Sequence, residues 1–559
     1  MNELSRRQVM QSAAGIAAAG AVQARGAQTT AAPGVAASSK TVVDTESGKV
    51  RGFVNRGVWV FRGIPYAEPS GGANRFLPPV KPKPWPGVRS CLTYGPSCPS
   101  GIGISEGGDN SPRADEDNFL LYRTGGWQRG ENCLRLNVWS PGPNSRRKRA
   151  VMVFMHGGGY TGGSGNDLLS YDGENLARHH DVVVVTHNHR LNVFGFLNLA
   201  EIGGERYASS GNVGMLDNVA VLEWVRDNIA NFGGDPGNVM IYGQSGGGGK
   251  VSHLMVMPAA KGLFHRAVVE SGATLRTGSA EAAAKVADAL LQELNIPRSQ
   301  FEKIQTVSTA NLVTAQGATL RRLAGSGGRP AGGGWGPILD GKVIPAHPFD
   351  PSAPEVSRNV PMMIGTCLNE FVNGVDNPEV DSLTNEELQR RVSQRYGEHA
   401  NDIIAAYRRD YPKERAFGIW AAISAATVRQ NTATQAERKA AQGGAPAYQY
   451  IYAWRTPMLD NRPGTFHSSE IAFVFDNGDL CTRYSGGGPE ALKLSYAVGE
   501  AWASFARTGK PGHRGLPEWP GYTATQRATM VFNSTCAVRN DPEGEGLKLV
   551  RQADASKKA

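Results

Sequence analysis

Apolar positions in this chain change their period along its length. Near the N-terminus they form short runs: Val42-Val43, Gly48-Lys49-Val50 and Val58-Trp59-Val60-Phe61. Such runs between turn residues predict the strands of an antiparallel hairpin. Extended chain follows through Gly63-Ile64-Pro65-Tyr66 and the proline-rich stretch 78–86. Residues 99–130 are polar and glycine-rich and read as a long surface loop.

Beyond that loop the pattern alternates. Continuous apolar runs stand at Leu134–Trp139, Ala150–Met155, Val182–Val185, Val239–Tyr242, Ala267–Glu270, Val360–Ile364 and Ala447–Trp454. Between two of them Val219, Leu222, Val225 and Ile229 recur at helical spacing, predicting a helix over 217–231. Val251, Leu254 and Met255 mark a face of another helix. Apolar strands separated by helices imply a large, mostly parallel sheet covered on both faces. Residues 375–440 are rich in helix formers and read as a helical excursion between the last two runs. No linker-like break divides residues 41–550, which are read as one domain, followed by a polar tail at 551–559.

Composition excludes several classes. With 40% hydrophobic residues and 19% charged, the 559-residue chain is ordinarily globular. No run of 18 apolar residues is present, so no membrane insertion is expected. The formal charge of +9 is spread over scattered Lys and Arg without a nucleic-acid motif, so it reads as a mixed basic surface. The N-terminus differs from the rest. Ser5-Arg6-Arg7-Gln8-Val9-Met10 precedes a weakly apolar Ala/Gly stretch ending in Val22-Gln23-Ala24. This pattern resembles a bacterial twin-arginine signal over 1–24, followed by a flexible lead-in at 25–40. It implies the twin-arginine export machinery as a partner of the precursor, and a periplasmic or secreted product.

Two segments match G-x-S-x-G: 103–107 around Ser105 and 243–247 around Ser245. In a chain this rich in glycine about half a match is expected by chance, so context decides. Ser105 lies in the polar loop. Ser245 follows a four-residue apolar strand and precedes a helical pattern, as a nucleophile elbow requires. His156-Gly157-Gly158-Gly159 directly follows another strand. Acyl transfer develops an oxyanion that needs N–H donors, and glycines let the backbone approach one. His187-Asn188-His189 has no carboxylate at ligand spacing, and none of the six cysteines has zinc-ligand spacing, so no metal site is expected.

These segments sit in a longer array. Phe61-Arg62-Gly63-Ile64-Pro65-Tyr66-Ala67, Glu131–Val138, Asn188-His189-Arg190, Asn231–Pro236 and Gly243–Gly247 together resemble the type B carboxylesterases, the family of cholinesterases and bacterial para-nitrobenzyl esterases. The likeness runs from about Val42 to Val538. It departs at Gln244, where the family more often has Glu, and at His189, where it usually has Tyr.

The resemblance implies an α/β-hydrolase fold and a serine carboxylesterase acting on small ester substrates through an acyl-enzyme, without a cofactor. It places the nucleophile on Ser245, the acid on Glu370 within Ile364–Glu370, and the base on His467 within Gly464–Glu470. Independently, all three lie just beyond candidate strands, where open α/β sheets carry their sites. The resemblance also assigns the oxyanion donors to Gly158, Gly159 and Gly246, and implies a Cys98–Cys133 disulfide. A bridge there would close a loop of roughly 35 residues and contribute about 3–4 kcal/mol if unstrained. An amidase or lipase with the same triad, or a silent binding module on the same fold, are the alternative readings.

Overall fold

The computed structural model describes residues 35–100, 115–123, 128–143, 147–324, 334–375 and 377–557. The signal-like segment 1–24 and Ser105 lie outside the described residues.

Near the N-terminus come β1 (Val35–Ala36), β2 (Val42–Thr45), β3 (Gly48–Arg51), β4 (Phe53–Asn55), β5 (Val58–Pro65) and β6 (Val88–Ser90). Then follow β7 (Arg135–Ser140), β8 (Arg149–Met155), β9 (Val183–His187), β10 (Gly234–Gln244) and β11 (Arg266–Glu270). The pair β12 (Gly278–Ser279) and β13 (Ile338–Leu339) stands apart from the main sheet. The last strands are β14 (Met362–Cys367), β15 (Ala447–Tyr452), β16 (Ala528–Phe532) and β17 (Ala537–Asn540).

Twelve strands form one sheet in the order β1-β4-β5-β7-β9-β8-β10-β11-β14-β15-β16-β17. The seven from β9 to β16 run parallel, and antiparallel strands flank them on both sides. The predicted N-terminal hairpin is split in two. β2 and β3 pair antiparallel and join β6 in a separate three-stranded sheet, while β4 and β5 make an antiparallel edge on the main sheet.

Strand periodicity explains the two cores. Val151, Val153 and Met155 of β8 and Val239 and Ile241 of β10 pack on one face. Met152, Phe154, Met240 and Tyr242 pack on the other. Successive side chains point to opposite faces, so a strand covered on both sides is apolar throughout. The predicted excursion is five helices between Glu379 and Ala441. They carry their own core, Leu388, Val392, Ile403, Tyr407 and Ile419, closed by Leu547 and Val550 of the C-terminal helix.

Both ends of the described chain carry regular structure. The lead-in at 25–40 is not flexible throughout, because Val35 and Ala36 pair with Asn55 and Val54. At the other end the helix Gly544–Ser556 runs into the predicted tail and buries Ala553 against the excursion.

The chain visits β8, then β9 outside it, then crosses back to β10. Such a reversal opens a crevice beyond the carboxyl ends of the strands. The segments that leave β8, β10 and β14, and the loop after β15, all end there.

Candidate active site

β10 ends at Gln244, and Ser245 turns the chain into the helix Gly246–Leu254 with φ +57° and ψ −122°. A non-glycine residue at positive φ costs roughly 1–3 kcal/mol and persists only where surroundings fix it. Here the Ser245 N–H donates to the Glu270 carbonyl at 2.8 Å, and the Ser245 carbonyl accepts from Gly249 N–H at 3.1 Å. The glycines around it answer to close approach. A Cβ on Gly247 would stand 1.9 Å from the Met155 carbonyl oxygen, and one on Gly246 would stand 2.4 Å from Gly159 Cα. The elbow and the loop after β8 therefore touch backbone to backbone.

In that loop every carbonyl from His156 to Gly159 is tied back into the protein. The His156 carbonyl accepts from Lys250 Nζ at 3.0 Å, and the Gly157 carbonyl bonds the His156 Nδ1 at 2.8 Å. The Gly158 carbonyl accepts from Gly162 N–H at 3.1 Å, and the Gly159 carbonyl accepts from Lys250 Nζ at 2.8 Å. In a trans peptide the N–H points opposite to the carbonyl. Tying the carbonyls of Gly157 and Gly158 thus turns the N–H groups of Gly158 and Gly159 the other way. Among the described residues these two N–H groups and that of Gly246 have no hydrogen-bond partner.

Glu370 and His467 come together from two loops. Glu370, at φ +49°, follows β14 by three residues. Its Oε1 accepts from Ser271 Oγ at 2.7 Å and from Cys367 N–H at 2.9 Å. Its Oε2 stands 2.5 Å from His467 Nδ1, and its carbonyl accepts from His467 N–H at 2.8 Å. Arg429 of the helical excursion donates to the Leu368 carbonyl at 2.8 Å and so pins the loop carrying the carboxylate. Burial disfavours the imidazolium of His467, but the Glu370 carboxylate outweighs burial and raises its pKa. The Phe371 ring lies over the imidazole with centroids 4.1 Å apart, yet is 67% exposed, so it forms an apolar wall at the mouth.

Glu470 is a neighbour of this pair, and no hydrogen bond joins it to the His467 ring. It accepts from Cys367 Sγ at 2.7 Å and sits behind Glu370. Burial, with the Glu370 charge adding to it, raises the Glu470 pKa to about 7.

Sequence reasoning singled out Ser245, Glu370, His467, Gly158, Gly159 and Gly246; the structure brings Glu370 against His467, Gly246 against Gly159, and Gln244, the residue before Ser245, against the His467 ring. It missed the contacts of Gln244 and it missed Lys250. A lysine directly after the run Gly246–Gly249, on a helix otherwise apolar at Val251 and Leu254, was the available signal.

The expected Cys98–Cys133 bridge is corrected. All six cysteines are free thiols, these two included. They are neighbours in the buried core, where Cys98 Sγ accepts from Leu191 N–H at 3.3 Å. Burial, with Cys133 beside it, pushes the Cys98 thiol well up.

A strained serine elbow, a carboxylate-bound histidine and a row of free N–H donors on a doubly covered sheet define an α/β-hydrolase of the serine-hydrolase class. The chain belongs to the carboxylesterase family, which it matches over residues 39–549, and is a carboxylic ester hydrolase. It is 35% identical to the para-nitrobenzyl esterase of Bacillus subtilis over 512 residues, 90% of this chain and 97% of that esterase. It superposes on an esterase from Clostridium hathewayi that can hydrolyse aliphatic aromatic polyesters, with a TM-score of 0.80 and 34% identity, covering 92% of this chain and 98% of that one. A carboxylesterase of Geobacillus stearothermophilus superposes with a TM-score of 0.73 and 34% identity, covering 91% and 99%.

Proposed function

We propose that the protein hydrolyses carboxylic esters through an acyl-enzyme on Ser245, with His467 as base and Glu370 as its orienting acid. One observation carries the assignment: Glu370 holds Nδ1 of His467 at 2.5 Å, which leaves Nε2 as the basic nitrogen beside the Ser245 elbow. Ser245 Oγ attacks the ester carbonyl while its proton passes to His467 Nε2. The carbonyl oxygen gains charge and is met by the N–H groups of Gly158, Gly159 and Gly246. The C–O bond to the alcohol breaks, and the alcohol leaves with the proton from Nε2. Water then attacks the acyl group, gives its proton to Nε2, and Ser245 departs with that proton. Glu370 keeps the ring in one tautomer and stabilises the imidazolium in both halves.

A fluorophosphonate should label Ser245 stoichiometrically and abolish turnover of p-nitrophenyl esters. Labelling elsewhere, or activity that survives labelling, contradicts the assignment. Matched amide, short-chain ester and long-chain ester substrates decide between esterase, amidase and lipase action, with short esters expected to be fastest.

The proposal extends to location. The Arg6-Arg7 segment and the Ala/Gly stretch after it support export of the precursor by the twin-arginine route to the periplasm or beyond.

A further inference from the structure

Lys250 stands on the helix that begins at Ser245, little more than one turn beyond it, and its side chain is fully buried. Its Nζ reaches the carbonyls of His156 and Gly159, the first and last residues of the loop that carries the oxyanion donors. The Tyr160 ring centroid is 5.3 Å from Nζ, and the imidazoles of His156, His187, His189 and His253 lie near enough to feel its charge. Burial lowers the pKa of each of these histidines, so they face the lysine uncharged. Among the described residues no carboxylate offsets its charge, and burial pulls its own pKa down to about 7.

A buried amine without a counter-ion is costly, and an apolar side chain would fill the same space at less cost. What the amine offers there is two N–H donors aimed at two carbonyls. Both the ammonium and the neutral amine carry at least two, so the grip does not depend on the proton.

We propose that Lys250 is a positioning residue for ester hydrolysis. By bridging the His156 and Gly159 carbonyls it fixes the peptide planes on either side of the Gly158 and Gly159 N–H groups. The hole is then preorganised before substrate arrives, and it is tied to the same helix that carries Ser245. The proposal rests on Ser245 as nucleophile.

The experiment compares K250M and K250S with V251A, a core substitution on the same helix that touches neither carbonyl. K250M removes the donors and keeps the volume. K250S leaves room for water beside the carbonyls but severs the tether. For p-nitrophenyl butyrate, kcat should fall about 30–300-fold in K250M and about 10-fold or more in K250S, with KM within about threefold. Affinity for a trifluoromethyl ketone, which places an oxyanion in the hole, should fall by a similar factor. V251A, with a comparable drop in Tm, should keep kcat within about threefold.

The proposal is overturned if either folded Lys250 variant keeps both kcat and ketone affinity within about threefold of wild type, or if V251A loses as much. Should K250M fail to fold, K250S decides. Fluorophosphonate labelling of the wild type keeps the two readings apart. No labelling at Ser245 sinks the nucleophile assignment; labelling there with unchanged Lys250 variants sinks only the clamp.

Discussion

The side-chain amide of Gln244 lies 3.2 Å from Nε2 of His467, and its Oε1 accepts from Ser468 Oγ at 3.0 Å. The residue before the nucleophile and the residue after the base thus hold one carboxamide between them. The same amide nitrogen is 3.5 Å from Nδ1, so it lies against the ring; it is the Glu370 carboxylate, 2.5 Å from Nδ1, that draws the ring proton to that nitrogen and leaves Nε2 unprotonated. That is the tautomer a general base needs.

Gln244→Glu would put a carboxylate in the same place. A negative charge there favours the imidazolium, so the His467 pKa should rise further and the acid limb of kcat/KM should move to higher pH. Activity at pH 6 should fall by more than activity at pH 8.5. A pH-rate profile checks this, and an acid limb that stays in place would show that the amide contact does not act on the base.

Ser245→Ala should lower kcat by roughly 10⁴–10⁶ with the fold intact, and Ser105→Ala should leave it nearly unchanged. His467→Ala should cost about as much as Ser245→Ala. Glu370→Gln should cost less, since an amide can still bond the ring, and the double variant should be hardly worse than His467→Ala alone. If the two losses multiplied fully, Glu370 would be acting independently of His467, contrary to the 2.5 Å contact between them.

Far from the site, His180 should make stability depend on pH. It is buried between the helices Glu174–His180 and Pro489–Thr508, with Nδ1 2.8 Å from Glu500 and Nε2 3.2 Å from Asp476. Burial opposes its protonation, but the two carboxylates outweigh burial and raise its pKa. A raised histidine contributes stability that is fully present below its unfolded pKa of about 6.5 and is lost as pH rises through the folded value. His180→Gln should therefore lower Tm by about 1–3 °C at pH 5.5 and by less at pH 9. Thermal melts of both proteins across that range would show a constant gap if His180 were not the titrating group.

The export proposal is tested in cells. Replacing Arg6-Arg7 by Lys-Lys should hold the precursor in the cytoplasm. Fractionation that still finds mature esterase outside the inner membrane would exclude the twin-arginine route.

The sequence by itself determined the sheet. Its parallel strands are buried on both faces, so Ala150–Met155 and Val239–Tyr242 had to be apolar at every position, a signal that needs no partner to be read. β16 and β17 passed unnoticed, because their short runs at 528–532 and 537–540 carry no such contrast. The elbow was legible because a strand, a glycine pair and a helix are local features. Glu370 and His467, 97 residues apart, were read only through a family likeness, since each alone is an ordinary loop residue. What only the tertiary structure decided are the contacts made across chain separation. Lys250 crosses 94 residues to the His156 carbonyl, and Gln244 crosses 223 to the His467 ring. Cys98 and Cys133 are buried side by side without a bridge between them. The physical reason is common to all three. Hydrogen bonding and ionisation depend on which groups burial brings within about 3 Å, and no local period in a sequence encodes that distance.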